Sequence, residues 1–193
     1  MPRLIEPPPT PPKDLGGGGE GGERFLLPTG LVGLLVLLGV VTSLFAALLS
    51  AYLVRMGFPD WQSLPKPPLL FLNTLLLGLA SWALEGASRR AQLGWALGEG
   101  WAYSGLGLGF AFILGQLGAW QLLLSLGYAP AESPAGAFFY LATGLHGLHL
   151  LGGTVALGVA LGRREPVLLR FTALYWHYLF GVWLVLLTLL LWS

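Results

Sequence analysis

The chain of 193 residues contains no cysteine. That excludes a disulfide framework, a thiolate-bound metal cluster and a covalently attached haem of the C-x-x-C-H kind. Charge is scarce too. Asp, Glu, Lys and Arg make up 10% of the residues, against about 25% in ordinary soluble domains. With 55% hydrophobic residues, the sequence reads as an integral membrane protein whose apolar side chains face lipid and one another. The net charge of +1 is uninformative, and nothing suggests a nucleic-acid partner. No serine sits in a G-x-S-x-G setting, and no nucleophile–base or acid–base pair is visible. No catalytic residue is therefore assigned.

What is abundant is glycine, proline and leucine, unevenly spread. Residues 1–27 hold Pro7-Pro8-Pro9-Thr10-Pro11-Pro12 and then Gly16 to Gly19. Pro and Gly at this density build no packed core, so the stretch reads as a disordered or extended cytoplasmic tail. It lacks a charged n-region followed at once by an apolar h-region, so it is no ordinary signal peptide. The first hydrophobic helix would act as the uncleaved insertion signal.

Residues 28–193 read as one all-α membrane domain, a helical bundle with five transmembrane helices at about 31–54, 69–90, 101–128, 137–162 and 171–192. A span needs about 20 apolar residues. The second segment is short of that and borrows its last turns from Glu85 to Arg90. The basic residues set the expected orientation. Arg3, Lys13, Arg24, Arg89, Arg90, Arg163, Arg164 and Arg170 fall on one face, and only Arg55 and Lys66 on the other. The positive-inside rule then places the N-terminus in the cytoplasm and the C-terminus outside.

Small residues mark where other helices or ordered lipid approach closely, because lipid tails leave no hydrophobic drive between helices. In the fourth segment, Ala142, His146, His149, Gly153, Ala156, Ala160 and Arg163 share a stripe, and Gly144, Gly147, Thr154, Gly158 and Gly162 a second one. Contacts are expected on both sides of this helix. The first segment repeats the pattern with Gly39, Ser43, Ala46 and Ser50, the fifth with Ala173, His177 and Gly181. Gly105-Leu106-Gly107-Leu108-Gly109 follows no strand, so it fails as a dinucleotide fingerprint and reads as close helix packing.

His146 and His149, three apart, present both imidazoles to one side, and His177 offers a third nitrogen. A metal site is one reading. Against it, no acidic residue lies in the fourth or fifth segment to orient a ring. The other reading makes His146, His177, Gln116 and Trp176 interhelical polar contacts, with no metal bound. Arg163 lies fourteen residues after His149 on the same stripe, placed to pair with a lipid phosphate. A plain interfacial anchor is the alternative, and it fits Arg164 and Arg170 better.

At this point a family resemblance enters. Phe138-Phe139 through Ala142-Thr143-Gly144-Leu145-His146-Gly147-Leu148-His149, with Gly153-Thr154, closely resembles the penultimate helix of subunit III of the haem-copper cytochrome c oxidases. Tyr175-Trp176-His177-Tyr178 with Val182-Trp183-Leu184 resembles its last helix. Leu72-Asn73-Thr74, Gly115-Gln116 with Ala119-Trp120-Gln121, and Ala51-Tyr52-Leu53-Val54-Arg55 are similar to earlier family helices, in the family's order. The resemblance implies a short five-helix bacterial form of a bundle that elsewhere has seven helices and a lipid-holding cleft. It implies lipid contact by Arg163 and His149, with bound phospholipid in the site. It further implies a non-catalytic subunit in the bacterial inner membrane, packed on oxidase subunit I, with subunit II in the complex. Haem and copper would be carried by those partners, and the complex would reduce oxygen and pump protons. The glutamate usual in the family's third helix is missing; its position falls at or beside Val41. A quinol-oxidase or nitric-oxide-reductase version stays open on this reading, and an independent small transporter is a further alternative.

Overall fold

The computed structural model describes residues 29–192, and among them the architecture is all helical. In order come α1 Thr29–Arg55, α2 Leu69–Ala91, α3 Trp95–Ser125, α4 Pro134–Arg163 and α5 Pro166–Trp192. All five are long and apolar enough to cross a membrane. The tail of residues 1–27, with its expected disorder, lies outside the described residues.

Three helices start earlier than their apolar runs. α3 begins at Trp95 rather than 101, and Gly98 in its first turns packs onto the end of α2. A Cβ there would lie 2.5 Å from the Ala87 carbonyl oxygen and 2.8 Å from the Ala91 nitrogen. α4 begins at Pro134 rather than 137. Ser133 caps it, its Oγ accepting the Gly136 N–H at 3.1 Å, and proline takes the first helical position, where no N–H is needed. α5 begins at Pro166 rather than 171, and its first turn buries Leu169. α4 stops where Arg164 turns left-handed, φ 53°. α3 stops just before Gly127, φ 88°, a conformation glycine adopts at no steric cost.

The tightest seam joins α2 and α3, which run antiparallel. Gly98, Ala102 and Gly105 of α3 meet Ala80, Leu84, Ala87 and Ala91 of α2, all buried. α5 lies across α2 and α4, burying Trp176, Leu179 and Trp183. Among the described residues α1 rests chiefly on α5 and α4, through Val41, Phe45 and Tyr52.

Two of the small faces meet almost no neighbour among the described residues. Gly39, Ser43, Ala46 and Ser50 of α1 are exposed; its contact face is the bulky one. On α4, Gly147, Gly158 and Gly162 have open space where a side chain would point. Of the glycines on that second stripe, Gly144 alone meets a neighbour, Trp120, at 3.3 Å. α4 is therefore covered on its His146 side and largely bare on the other.

Candidate functional site

Polar side chains inside this bundle join helices. In hydrocarbon a lone donor or acceptor has no water to bond, so it must find a partner in the protein. Asn73 of α2 and Gln116 of α3 are both buried, and the Asn73 Nδ2–H donates to Gln116 Oε1 at 3.2 Å. Gly115 makes the room, since a Cβ there would collide with the Asn73 side-chain oxygen. Trp183 Nε1–H of α5 donates to Thr74 Oγ1 at 2.9 Å, while Thr74 donates to the Leu70 carbonyl of its own helix at 2.8 Å. α3 and α4 are joined at Trp120, whose Nε1–H donates to Thr143 Oγ1 at 3.0 Å.

His146 is fully buried and faces the Leu179 carbonyl of α5 through Nε2 at 3.0 Å. A nitrogen opposite a carbonyl has to carry the proton, so Nε2 is the donor. The ring lies between Phe112 and Trp183, at centroid distances of 5.7 and 5.2 Å. Among the described residues His146 Nδ1 has no hydrogen-bond partner, nor do Asn73 Oδ1, Gln116 Nε2 and Trp176 Nε1.

The other expected residues are placed differently. His149 is half-buried, bonds the Leu145 carbonyl of its own helix at 2.7 Å, and sets its ring against Phe45 of α1 at 5.7 Å. His177 is exposed and donates to the Ala173 carbonyl of its own helix at 2.7 Å, so its hydrogen bond is not an interhelical one. Trp176 is the buried neighbour. Its ring fills the notch between Gly109 of α3 and Gly153 of α4, and its contact is steric rather than polar. Arg163 is exposed at the end of α4. The three histidines do not converge, and among the described residues no three His, Cys, Asp or Glu side chains come together as a metal site.

The sequence reading passed over Asn73, Thr74, Thr143 and Thr42 as contacts. Thr42 shares a hydrogen bond with Tyr178 OH at 2.8 Å, linking α1 to α5. The signal that singled out Gln116, a polar side chain deep in an apolar run, was equally present at Asn73.

Comparison with known proteins gives this scaffold a family. The profile of the family "Cytochrome c oxidase subunit III" matches residues 104–193. A probable cytochrome c oxidase subunit 3 of Mycobacterium tuberculosis is 32% identical over 173 residues, covering 82% of this chain and 85% of the relative. The chain belongs to the cytochrome c oxidase subunit III family. Other subunit III relatives come from both branches of oxidase. The cytochrome c oxidase subunit 3 of Thermostichus vulcanus is 29% identical over 174 residues, 83% of this chain and 85% of the relative. The cytochrome bo(3) ubiquinol oxidase subunit 3 of Pseudomonas aeruginosa is 26% identical over 159 residues, 75% of this chain and 76% of the relative. As a subunit III family chain with five candidate spans, this is a multi-pass membrane protein. The profile match takes in Gln116, the three histidines, Trp176 and Arg163, while Asn73 lies before it.

Proposed function

We propose that the chain is the non-catalytic subunit III of a bacterial haem-copper terminal oxidase of the cytochrome c type. It packs on subunit I, holds phospholipid, and helps keep oxygen reduction and proton uptake working over many turnovers. Haem and copper reside in the partner subunits. The observation that carries this is the relatedness over 173 residues to a subunit of such a complex. The polar interior supports it: its side chains are spent on joining helices. His146, Gln116 and Asn73 then act as interhelical contacts, Trp176 as a packing element, and Arg163 and His149 as lipid contacts. The N-terminus lies in the cytoplasm by the positive-inside rule. In keeping with that, the described basic residues Arg89, Arg90, Arg163, Arg164 and Arg170 all sit at the ends of α2 and α4 or the start of α5.

The quinol-oxidase form is the second reading, favoured by the Pseudomonas relative. One preparation separates the two. The tagged chain is purified from its host in mild detergent, and a reduced-minus-oxidised spectrum is recorded with oxygen uptake on reduced cytochrome c and on ubiquinol. Haem bands, a larger subunit in near equal amount and cytochrome c oxidation support the first reading. Uptake on ubiquinol alone moves the chain to the second. A colourless protein purified alone, under conditions that keep the oxidase intact, overturns both.

A further inference from the structure

The polypeptide enters α1 beside a pocket. Gly30 and Leu31, in the first turn of α1, line it with Gln92 after α2 and with Val167, Arg170 and Leu174 of α5. It holds about 630 Å³. A Cβ at Gly30 would lie 2.8 Å from the Phe171 ring, so the start of α1 is pinned to α5. Whatever precedes Gly30 therefore leaves from the rim of this pocket.

The wall of the pocket is unfinished in two ways. Val167 is 65% exposed and Leu174 43% exposed, an apolar surface with no cover among the described residues. Arg170 is exposed, and no hydrogen bond or ion pair holds it among the described residues. Other arginines at this end of the bundle are engaged. Arg89 pairs with Glu85 at 2.5 Å, Arg164 approaches Glu99 at 4.0 Å, and Arg90 stacks on Trp101 at 4.1 Å.

The segment that arrives at the rim carries the complement of both. Residues 14–23 hold Asp14, Glu20 and Glu23 and no base, and Phe25-Leu26-Leu27 follows Arg24. Leu27 stands before Pro28, and a residue before proline is biased away from the helical region. That preference sets the apolar triplet apart from the helix that follows. Glu23 comes seven residues before Gly30, a reach of up to about 24 Å, and Arg170 lines the same pocket as Gly30. Gly21 and Gly22 accept the positive φ that a chain reversal needs.

We infer that residues 20–27 fold back into this pocket, Phe25 and Leu26 against Val167 and Leu174, and the Glu23 carboxylate on the Arg170 guanidinium. The segment before the first helix is thereby clasped to the last one. The inference goes beyond the oxidase reading and does not depend on it.

The test uses the full chain, purified through a C-terminal tag with whatever complex it forms. With the photocrosslinker p-benzoylphenylalanine in place of Val167, illumination should join that position to residues 20–27 of the same chain, in a band of single-chain size identified by peptide mass spectrometry. A crosslink to phospholipid, to another subunit or to a second copy of this chain overturns the proposal. Hydrogen exchange then weighs the ion pair. In wild type the amides of residues 23–27 should exchange more slowly than those of Gly16 to Gly19. Arg170→Glu, and separately Glu23→Arg, should speed them about fivefold, the upper end for an exposed ion pair, and the two together should restore the protection. Phe25→Ser with Leu26→Ser should abolish it with Arg170 in place, and Arg163→Gln, outside the pocket, should leave it unchanged. Exchange in wild type as fast as that of the glycine run, no response to either charge reversal, or no recovery in the double variant would overturn the clasp. Exchange in α2 and α3 checks that each variant is folded, and the crosslink in the otherwise unaltered chain decides the question if Arg170→Glu fails to assemble.

Discussion

α1 and the α2–α5 group are held by different means. Within the group, helices close on one another through absent side chains: Gly98 and Gly105 against α2, Gly109 and Gly153 around Trp176. Hydrogen bonds between buried partners then fix the register, Asn73 to Gln116 and His146 to the Leu179 carbonyl. α1 instead leans on its neighbours with large side chains, Val41, Phe45 and Tyr52, and an exposed Thr42 shares a hydrogen bond with Tyr178. Gly30 is the one close glycine of α1, a Cβ there lying 2.8 Å from the Phe171 ring, while Gly33 and Gly39 have open space where a side chain would point. Packing on backbone, as at Gly98, or on an enclosed ring, as at Gly109, cannot yield when a side chain is added, whereas an open flank can. Substitution should therefore be ruinous at Gly109 and silent at Gly39.

The largest effect is expected at Gly109→Leu, which drives a branched side chain into the Trp176 ring. Overpacking of this kind costs about 1–3 kcal/mol and at times more. The unfolding midpoint of the purified subunit, followed by fluorescence-detected gel filtration after heating, should fall by many degrees. Gly39→Leu in α1 should leave it unchanged, and an equal fall in both would erase the distinction drawn here. Next comes Gln116→Leu, which strands the buried Asn73 amide. A loss of about 0.6–2 kcal/mol is expected, and Asn73→Leu added to it should recover part of that loss, as the last unpaired group goes. A smaller effect is expected for Thr42→Val with Tyr178→Phe. Their double-mutant coupling should be about 0.6 kcal/mol, read best as faster proteolysis at the α1–α2 loop with the group's own midpoint held.

The smallest effect is a matter of pH. The hydrogen bond from Arg55 holds the Asp60 carboxyl below its ordinary value of 3.8, with their charge attraction adding to it against partial desolvation. A depressed carboxylate stabilises the fold above its unfolded pKa and loses that contribution as pH falls through the lower folded value. Wild type and Asp60→Asn should differ slightly in loop protection from pH 5 to 8, and the difference should vanish well below pH 3.8. A difference that grows on acidification would reverse the sign of this argument.

Length and composition were enough to show five helices, because a span is a property of the run of residues itself. Gly105 and Gly109 were legible as packing, and Gln116 as a bridge, since each is out of place in an apolar helix. Which face of a helix would be covered was not legible. In water a polar face marks the outside, but in lipid both faces are apolar, and small residues mark only where an approach is allowed. Hence Gly39 and Gly147 satisfied the rule and found no neighbour within the chain. His177 and Trp176 show the same limit at finer grain. Both were assigned as interhelical polar contacts, but about 100° separates neighbours on a helix; the Trp176 ring fills the glycine notch and His177 faces outward. Helix starts were placed late because the apolar run, which marks a span, begins after the helix does. Gly98 is a contact residue whose value appears only once α2 lies beside it.

The main partners of α1 are α4 and α5, which leave the ribosome after α2 and α3. α2 and α3 can close on each other as soon as Gly98 meets Ala91, while α1 waits in the bilayer for α4 and α5. Until they emerge, Val41 and Phe45 face lipid. Attachment of α1 is thus a late, non-local step of assembly, its Thr42–Tyr178 hydrogen bond joining residues 136 apart.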